Sequence, residues 1–282
     1  MQPTLAIVLV LLGCCSNVVF LELLTTAHPG SGNIITFSQF LFIAVHGFVF
    51  TMKCGTVRSA IPVSKYFLMV GLFFVVSVIN NYALNFGIPM PLHMIFKAGS
   101  LVANLLMGMV VLGRYYPLHK NAAVVAISAG IGLCTYASRG GAAEPGADGG
   151  PDSTVTMTIG VALLTSALLL SARLGIYQEV LYTTFGKHSQ QALFFTHALP
   201  LPGFLLLASD IGHHTALFSA SEPLALPLLP VPVPRLWFFL ACNVVTQYVC
   251  ISSVFRLTEQ CTSLTVTLVI TLRKFASLLF SI

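Results

Sequence analysis

The 282-residue chain is 56% hydrophobic and only 7% charged, with a formal net charge of +5 and a mean hydropathy of +0.92. Because soluble domains carry about 25% charged residues, this composition excludes a soluble globular protein and indicates a polytopic membrane protein that contacts a lipid bilayer. The few basic residues are scattered, which argues against a nucleic-acid-binding surface.

Nine apolar stretches are long enough to be membrane-spanning helices, which need about 20 mostly apolar residues. They cover residues 4–24, 34–52, 65–85, 90–112, 118–138, 155–178, 192–212, 235–256 and 261–282. Two longer connections, 139–154 and 213–234, are rich in glycine or proline and are predicted to be irregular loops.

Lysine and arginine are concentrated in alternate connections. These connections hold Lys53, Arg58, Lys65, Arg114, Lys120, Lys187 and Arg256. Because cytoplasmic loops carry an excess of basic residues, we expect the N-terminus and these connections to face the cytosol. Both long loops are then expected on the other side of the membrane.

Most of the seven cysteines lie within the apolar stretches, and none has the CxxC spacing of a metal site. A cysteine in such a position is usually a small apolar filler rather than half of a disulfide. We therefore expect no disulfide framework, no bound metal and no cofactor.

The two halves of the chain contain weak matches in the same order. The matched pairs are Phe20-x-Glu22-x-Leu24 with Tyr177-x-Glu179-x-Leu181, Phe37-Ser38-Gln39 with Phe195-Thr196-His197, Asn81-Tyr82 with Gln247-Tyr248, and Lys97-x-x-Ser100-Leu101 with Lys274-x-x-Ser277-Leu278. An odd repeat unit of five helices inverts the second copy, a design common in secondary transporters.

The matches predict an all-α membrane bundle of the five-plus-five inverted-repeat type. Its first repeat is expected at 1–138, a lumenal loop at 139–154 and the second repeat at 155–282. The sequence before Ile282 contains no counterpart of the fifth helix in the second repeat. Nine helices are therefore expected to be present and the tenth to be missing.

Polar side chains form a stripe on two of the predicted helices. At 100° per residue, His93, Lys97, Ser100 and Asn104 share one face of the fourth helix. A comparable stripe of the ninth helix comprises Ser263, Thr267, Thr271, Lys274 and Ser277. Ionisable groups are costly in a bilayer, so Lys97 and Lys274 are hypothesised to meet an anionic phosphate in a cavity between the halves.

Further candidates for the same cavity are Asn81, Tyr82, Gln247, Tyr248 and Arg273. The two tyrosines suit a ring or a hydrogen bond, and packing is their alternative role. Arg273 lies about 100° from Lys274 on the helical wheel, so one of these two cations is expected either to pair with Glu22 or Glu179 or to extend to the membrane interface.

Several of these residues keep two interpretations. Glu22 and Glu179 are expected to act in gating or charge pairing, or to be solvated. His93 is either a ligand contact or an inter-helix hydrogen-bond partner. Ser77, Asn243 and Ser263 are interpreted as hydrogen-bonding between helices. The chain lacks HExxH, GxSxG and Walker A motifs, so it is not expected to be an enzyme.

Nearly the whole chain resembles the nucleotide-sugar transporters of the drug/metabolite transporter superfamily. The resemblance is carried by NNYALN, PLHMIFKAGSLVAN, HALPLPGFLLLASDI, TQYVC and SLTVTLVITLRKFASLLFSI. It implies a ten-helix antiporter of Golgi or endoplasmic reticulum membranes. Such a protein moves a cytosolic nucleotide sugar, here UDP-N-acetylglucosamine, UDP-xylose or both, into the lumen in exchange for UMP by alternating access.

The resemblance also implies roles for individual residues. Asn81 and Tyr82 are expected in the nucleotide pocket, and Lys97, Arg273 and Lys274 at the phosphates. Because the tenth helix is expected to be missing, the alternative expectation is a truncated, transport-incompetent isoform that acts only as a membrane interaction partner. A homodimer is left open.

Overall fold

The computed structural model describes residues 3–83, 99–118, 151–224 and 233–278, with isolated positions between 122 and 133. For some helical residues it describes the backbone alone. These are residues 78, 80–83, 151–154, 156, 157, 274, 275, 277 and 278.

The described chain is almost entirely helical. Its helices are α1 Pro3–Ala27, α2 Gly32–His46, α3 Val63–Ala83, α4 Ser100–Leu112, α5 Pro151–Phe185, α6 Ser189–Ala198, α7 Ala208–Ser219, α8 Arg235–Gln260 and α9 Ser263–Leu278. A π turn, Gly47–Thr51, continues α2, and the 3-10 segment Leu201–Leu207 joins α6 to α7. Two short strands, β1 Pro223–Leu224 and β2 Val233–Pro234, pair antiparallel.

Five described segments are long and apolar enough to cross a membrane. They are Pro3–Ala27, Gly32–Thr51, Thr158–Phe185, Ser189–Ser219 and Arg235–Gln260, and the shorter apolar helices are Val63–Ser77, Ser100–Leu112 and Ser263–Arg273. Each falls on a predicted stretch, which confirms the expectation of an all-α polytopic membrane protein. The stretch predicted at 118–138 lies largely outside the described residues.

The predicted loops are shorter in the structure. The helix α7 continues to Ser219, so residues 213–219 of the predicted irregular loop are helical. His214 and Phe218, one turn apart, are buried there, and their burial favours the helix. At the other loop, α5 begins at Pro151, a residue whose fixed φ suits the first helical position.

The chain forms two compact units, and each contains segments from both halves of the sequence. The first unit is Met1–Phe67 with Tyr182–Cys261 and Val269–Ile282, and the second is Leu68–Leu181 with Thr262–Leu268. The predicted repeats at 1–138 and 155–282 stay a prediction.

Helices α1 and α8 of the first unit pack closely and antiparallel. A Cβ on Gly13 would lie 2.9 Å from the backbone nitrogen of Cys250, so the approach requires glycine at this position. The Cα atoms of Cys14 and Cys250 are 4.7 Å apart, and the two side chains form a disulfide. The expectation that these cysteines are apolar filler is therefore wrong, because the sequence does not reveal which helices approach each other.

Asn243 of α8 links three helices of the first unit. Its buried side chain accepts a 2.7 Å hydrogen bond from Gln39 Nε2 on α2 and donates to the backbone oxygen of Asn17 on α1 at 3.2 Å. Asn17 Nδ2 in turn donates to the backbone oxygen of Asn243 at 2.9 Å. The interpretation of Asn243 as an inter-helix hydrogen-bonding residue is confirmed.

Three basic connections meet at one end of the first unit. Gln191, at the start of α6, accepts a hydrogen bond from the backbone nitrogen of Ala60 at 2.9 Å. Thr51, Lys187 and Arg256 line one pocket at this end. At the opposite end of the unit, Asn33 donates a hydrogen bond to Asp210 at 2.9 Å. Among these contacts, the basic residues therefore lie at one end and the acidic residue at the other.

We expect the Cys14–Cys250 disulfide to be detected directly in the purified chain. When the protein is denatured without reductant and alkylated, both residues should resist the reagent, and a linked peptide should appear in the mass spectrum. Cys242, a free cysteine, is the control and should react. Alkylation of Cys14 before reduction would contradict the disulfide.

We expect Asn243→Ala to lower the apparent unfolding temperature in detergent. The change leaves Gln39 Nε2 and the Asn17 carbonyl without their partner, which costs about 1–2 kcal/mol. Val245→Ala on the same helix is the control, because Val245 is 52% exposed. Equal shifts for the two variants would count against the hydrogen-bonded link.

Candidate functional site

Tyr248 of α8 packs against an aromatic cluster on α2 and its π turn. Its ring centroid lies 4.5 Å from that of His46, and its hydroxyl is 3.4 Å from His46 Nε2. The ring centroid of Phe42 lies 5.7 Å from that of Tyr248, and the ring centroid of Phe50 lies 4.7 Å from that of His46. Tyr248 is half-buried, so packing orients its ring without enclosing it completely.

His46 is a residue that the sequence did not single out. A lone histidine in an apolar helix belongs to no polar stripe, and its role depends on which helix lies beside it. The contact with Tyr248 across 202 residues of chain makes His46 a positioning residue for that ring. Gln247, the neighbour of Tyr248, is also half-buried.

Arg273 of α9 is a half-buried cation in an apolar helix. Its Nε atom is buried and has no hydrogen-bond partner among the described residues. The free thiol of Cys15 on α1 lies within electrostatic range of the guanidinium. Because a buried donor without an acceptor is unfavourable, this guanidinium is suited to receive an anionic oxygen from a ligand.

The second unit contains a buried polar network between α4, α5 and α9. Asn104 donates from Nδ2 to Thr267 Oγ1 at 2.5 Å and accepts from Ser263 Oγ at 2.7 Å. A Cβ on Gly175 would lie 2.7 Å from Ser263 Oγ, so glycine at this position of α5 lets the start of α9 approach. The polar stripes predicted on the fourth and ninth helices therefore meet at Asn104. Their side chains there bond directly to each other instead of lining a cavity.

Glu179 of α5 ties this network to a basic residue. One carboxylate oxygen pairs with Arg114 at 2.5 Å, and the other accepts from the backbone nitrogen of Ser263 at 2.8 Å. Arg114 follows Gly113, whose left-handed backbone (φ 60°) ends α4. The hydrogen bond to Glu179 raises the pKa of Arg114 above its ordinary value, which keeps the guanidinium charged.

These contacts bear on the interpretation of three residues. Glu179, a candidate for gating or charge pairing, forms an ion pair with Arg114, and its role in the transport site stays a prediction. The inter-helix role predicted for Ser263 is confirmed. The Ser77 hydroxyl donates to the backbone oxygen of Phe73 in the same helix at 2.9 Å, and its inter-helix role stays a prediction.

The remaining predicted site residues are placed only in part. His93 and Lys97 lie outside the described residues, and of Asn81, Tyr82 and Lys274 only the helical backbone is described. Among the others, Glu22 and Ser100 are half-buried and Thr271 is buried. Their proposed roles therefore remain predictions.

Asp210 and His214 form a second polar pair, near the end opposite the basic loops. The His214 Nδ1 atom is 3.4 Å from one Asp210 carboxylate oxygen, and Asn33 occupies the other. In the part of the chain that the structure describes, no three His, Cys, Asp or Glu side chains are arranged to hold a metal ion.

Comparison with known proteins gives a match along almost the entire chain. Residues 2–282 match the UAA transporter family. The chain is 55% identical to the Mus musculus nucleotide sugar transporter SLC35B4 and 53% identical to the Danio rerio UDP-xylose and UDP-N-acetylglucosamine transporter. Both alignments cover 100% of this chain and 86% of the relative. It is also 53% identical to the Drosophila melanogaster endoplasmic reticulum GDP-fucose transporter, over 100% of this chain and 83% of the relative.

We expect a double-mutant cycle to show coupling between Arg114 and Glu179. Arg114→Gln alone leaves a buried carboxylate without its cation and should lower the apparent unfolding temperature. In a Glu179→Gln background the same change should have a much smaller effect. Since the Arg114 side chain is 37% exposed, solvent weakens the pair, and the coupling should be about 1 kcal/mol.

The control for this cycle is Arg173→Gln, which removes an exposed arginine from the same unit. It should change the unfolding temperature little in either background. Strict additivity of Arg114→Gln and Glu179→Gln would show that the ion pair does not stabilise the second unit.

Proposed function

The chain belongs to the UAA transporter family, and we propose that it transports nucleotide sugars across the endoplasmic reticulum or Golgi membrane. It is a transporter and not an enzyme. The observation that carries the proposal is the identity above 50%, along the whole chain, to relatives named as nucleotide-sugar transporters.

The sugar nucleotide is proposed to be UDP-N-acetylglucosamine, UDP-xylose or both. The name of the Danio rerio relative supports these two substrates. The name of the Drosophila melanogaster relative, at the same 53% identity, gives a guanine nucleotide and fucose instead. Identity alone does not separate these sugars, so GDP-fucose has to be a competitor in any transport assay.

The proposed cycle exchanges the nucleotide sugar for UMP. Both ligands carry a uridine and a phosphate, so one set of cations and polar groups can hold either of them. A ligand drives a conformational cycle only through its differential affinity for the inward-facing and outward-facing states. Loss of one phosphate and the sugar is the chemical difference between the two ligands.

The phosphates are proposed to meet Lys97, Arg273 and Lys274. The unpartnered buried Nε of Arg273 supports its place in this group, because a phosphate oxygen would satisfy it. The uridine is proposed to lie against Tyr82 and Tyr248. The orientation of Tyr248 by His46 supports a fixed ring in this position.

The remaining polar candidates are proposed to complete the ligand's hydrogen bonds. They are Asn81, His93, Ser100, Gln247 and Thr271.

The sidedness of transport is proposed from the basic loops. Lys187, Arg256 and the connection that contains Lys53 and Arg58 meet at one end of the first unit. An excess of basic residues marks the cytoplasmic side, which supports a cytosolic N-terminus and uptake from the cytosol into the lumen. A homodimer stays a prediction.

The proposal is tested with the purified chain in liposomes loaded with UMP. We expect uptake of labelled UDP-N-acetylglucosamine well above that of empty liposomes, and competition by unlabelled UDP-xylose but not by GDP-fucose. Lys97→Ala, Lys274→Ala and Arg273→Ala should each reduce uptake at least tenfold, since each removes a proposed phosphate cation. Lys53→Ala, an exposed loop change, is the control and should leave uptake unchanged.

Two results would count against different parts of this proposal. No UMP-dependent uptake by the unaltered chain would contradict exchange. Unaltered uptake by Lys97→Ala and Lys274→Ala would contradict the assignment of the phosphate cations while leaving transport intact.

A further inference from the structure

A pocket of about 420 Å³ lies at the basic end of the first unit. It is formed by the π turn after α2, the connection from α5 to α6, and the last turn of α8, and its volume falls within the usual range for small-molecule sites. None of the residues proposed for the transported substrate lines it. Tyr248, which is proposed for the transported substrate, lies eight positions before Arg256 on α8 and within electrostatic range of that arginine.

The charges around this pocket favour an anion. Lys187, an exposed residue, and Arg256 supply two cations, and Glu259 supplies one carboxylate. The helix α6 begins at Ser189 in the pocket wall. The first N–H groups of a helix have no partner within it and carry partial positive charge, so they add to the preference for an anionic oxygen.

Two buried amide atoms in the pocket wall are unsatisfied. Gln190 Nε2 and Gln260 Oε1 are both inaccessible to solvent and have no hydrogen-bond partner among the described residues. One is a donor and the other an acceptor. Buried groups of this kind are unfavourable unless a partner pairs with them. A rotation of the two side chains towards the pocket would let an occupant with both an acceptor and a donor satisfy them.

We propose that this pocket binds a phosphate group carried on a hydroxyl-bearing ring, at a site that shares no residue with the one proposed for the transported substrate. Lys187, Arg256 and the start of α6 hold the phosphate. Gln190 donates to a phosphate oxygen. Gln260 and Glu259 accept hydrogen bonds from the ring hydroxyls.

Two sources share this chemistry. One is a soluble nucleotide or sugar phosphate, which contains a ribose or hexose. The other is a phosphorylated inositol headgroup of a membrane lipid, which would reach the pocket from the bilayer surface. The recognition chemistry is the same for both, so the probes have to separate them.

The test measures the acetylation rate of Lys187 in the purified chain in nanodiscs, by mass spectrometry. Lys53 in the same sample is the internal control, because it is exposed and does not line the pocket. The probes are UMP, N-acetylglucosamine 1-phosphate, inorganic phosphate, and nanodiscs with and without phosphatidylinositol 4-phosphate.

We expect at least one ring phosphate to slow acetylation of Lys187 threefold or more while the rate at Lys53 stays constant. Protection by the soluble probes assigns the soluble source, and protection only by the lipid assigns the headgroup. Inorganic phosphate should protect less at the same concentration, because it cannot place ring hydroxyls at Gln260 and Glu259. Equal protection by inorganic phosphate would overturn the ring-hydroxyl assignment.

The variants Gln190→Glu and Gln260→Glu preserve the shape of the side chains and place a carboxylate beside the bound phosphate. Each should abolish the protection of Lys187. Protection that survives both changes, or no protection by any probe, would overturn the proposal. The readout does not involve transport, so it remains informative if the exchange proposed above fails.

Discussion

A polar side chain buried among apolar helices must find a partner inside the protein, since lipid offers none. The first unit meets this requirement at Asn243, which bonds to Gln39 and Asn17. The second meets it at Glu179, which joins Arg114 to the start of α9. In both units the partners come from different segments of the chain, so satisfying the polar group also holds those segments together.

The same constraint separates structural polar groups from those available to a ligand. Asn104 and Ser263 use their side chains on each other, and they are thereby removed from the expected cavity lining. Arg273 Nε, Gln190 Nε2 and Gln260 Oε1 are buried with no partner among the described residues. The first belongs to the proposed transport site, and the other two belong to the pocket at the basic end.

Apolar length was sufficient to predict where the described spanning helices lie, because a bilayer imposes about 20 residues per span. The spacing of polar residues placed Asn104 on one stripe and Ser263 and Thr267 on another, but it did not predict that these residues bond directly to each other. Neighbouring helices could not be predicted, since packing depends on close approaches such as Gly13 against Cys250. Three features depend on which helices are neighbours and were therefore not predicted. They are the disulfide of Cys14, the contact between His46 and Tyr248, and the pocket at Gln190.

The proposed transport site depends most on the binding of a nucleotide phosphate to the guanidinium of Arg273. The free thiol of Cys15 lies within electrostatic range of that group, so its alkylation rate, measured residue by residue in the purified chain, reports occupancy. We expect UMP and UDP-N-acetylglucosamine to slow the modification of Cys15 and to leave the rates at Cys242 and Cys54 unchanged. Identical rates at Cys15 with and without saturating UMP would contradict it.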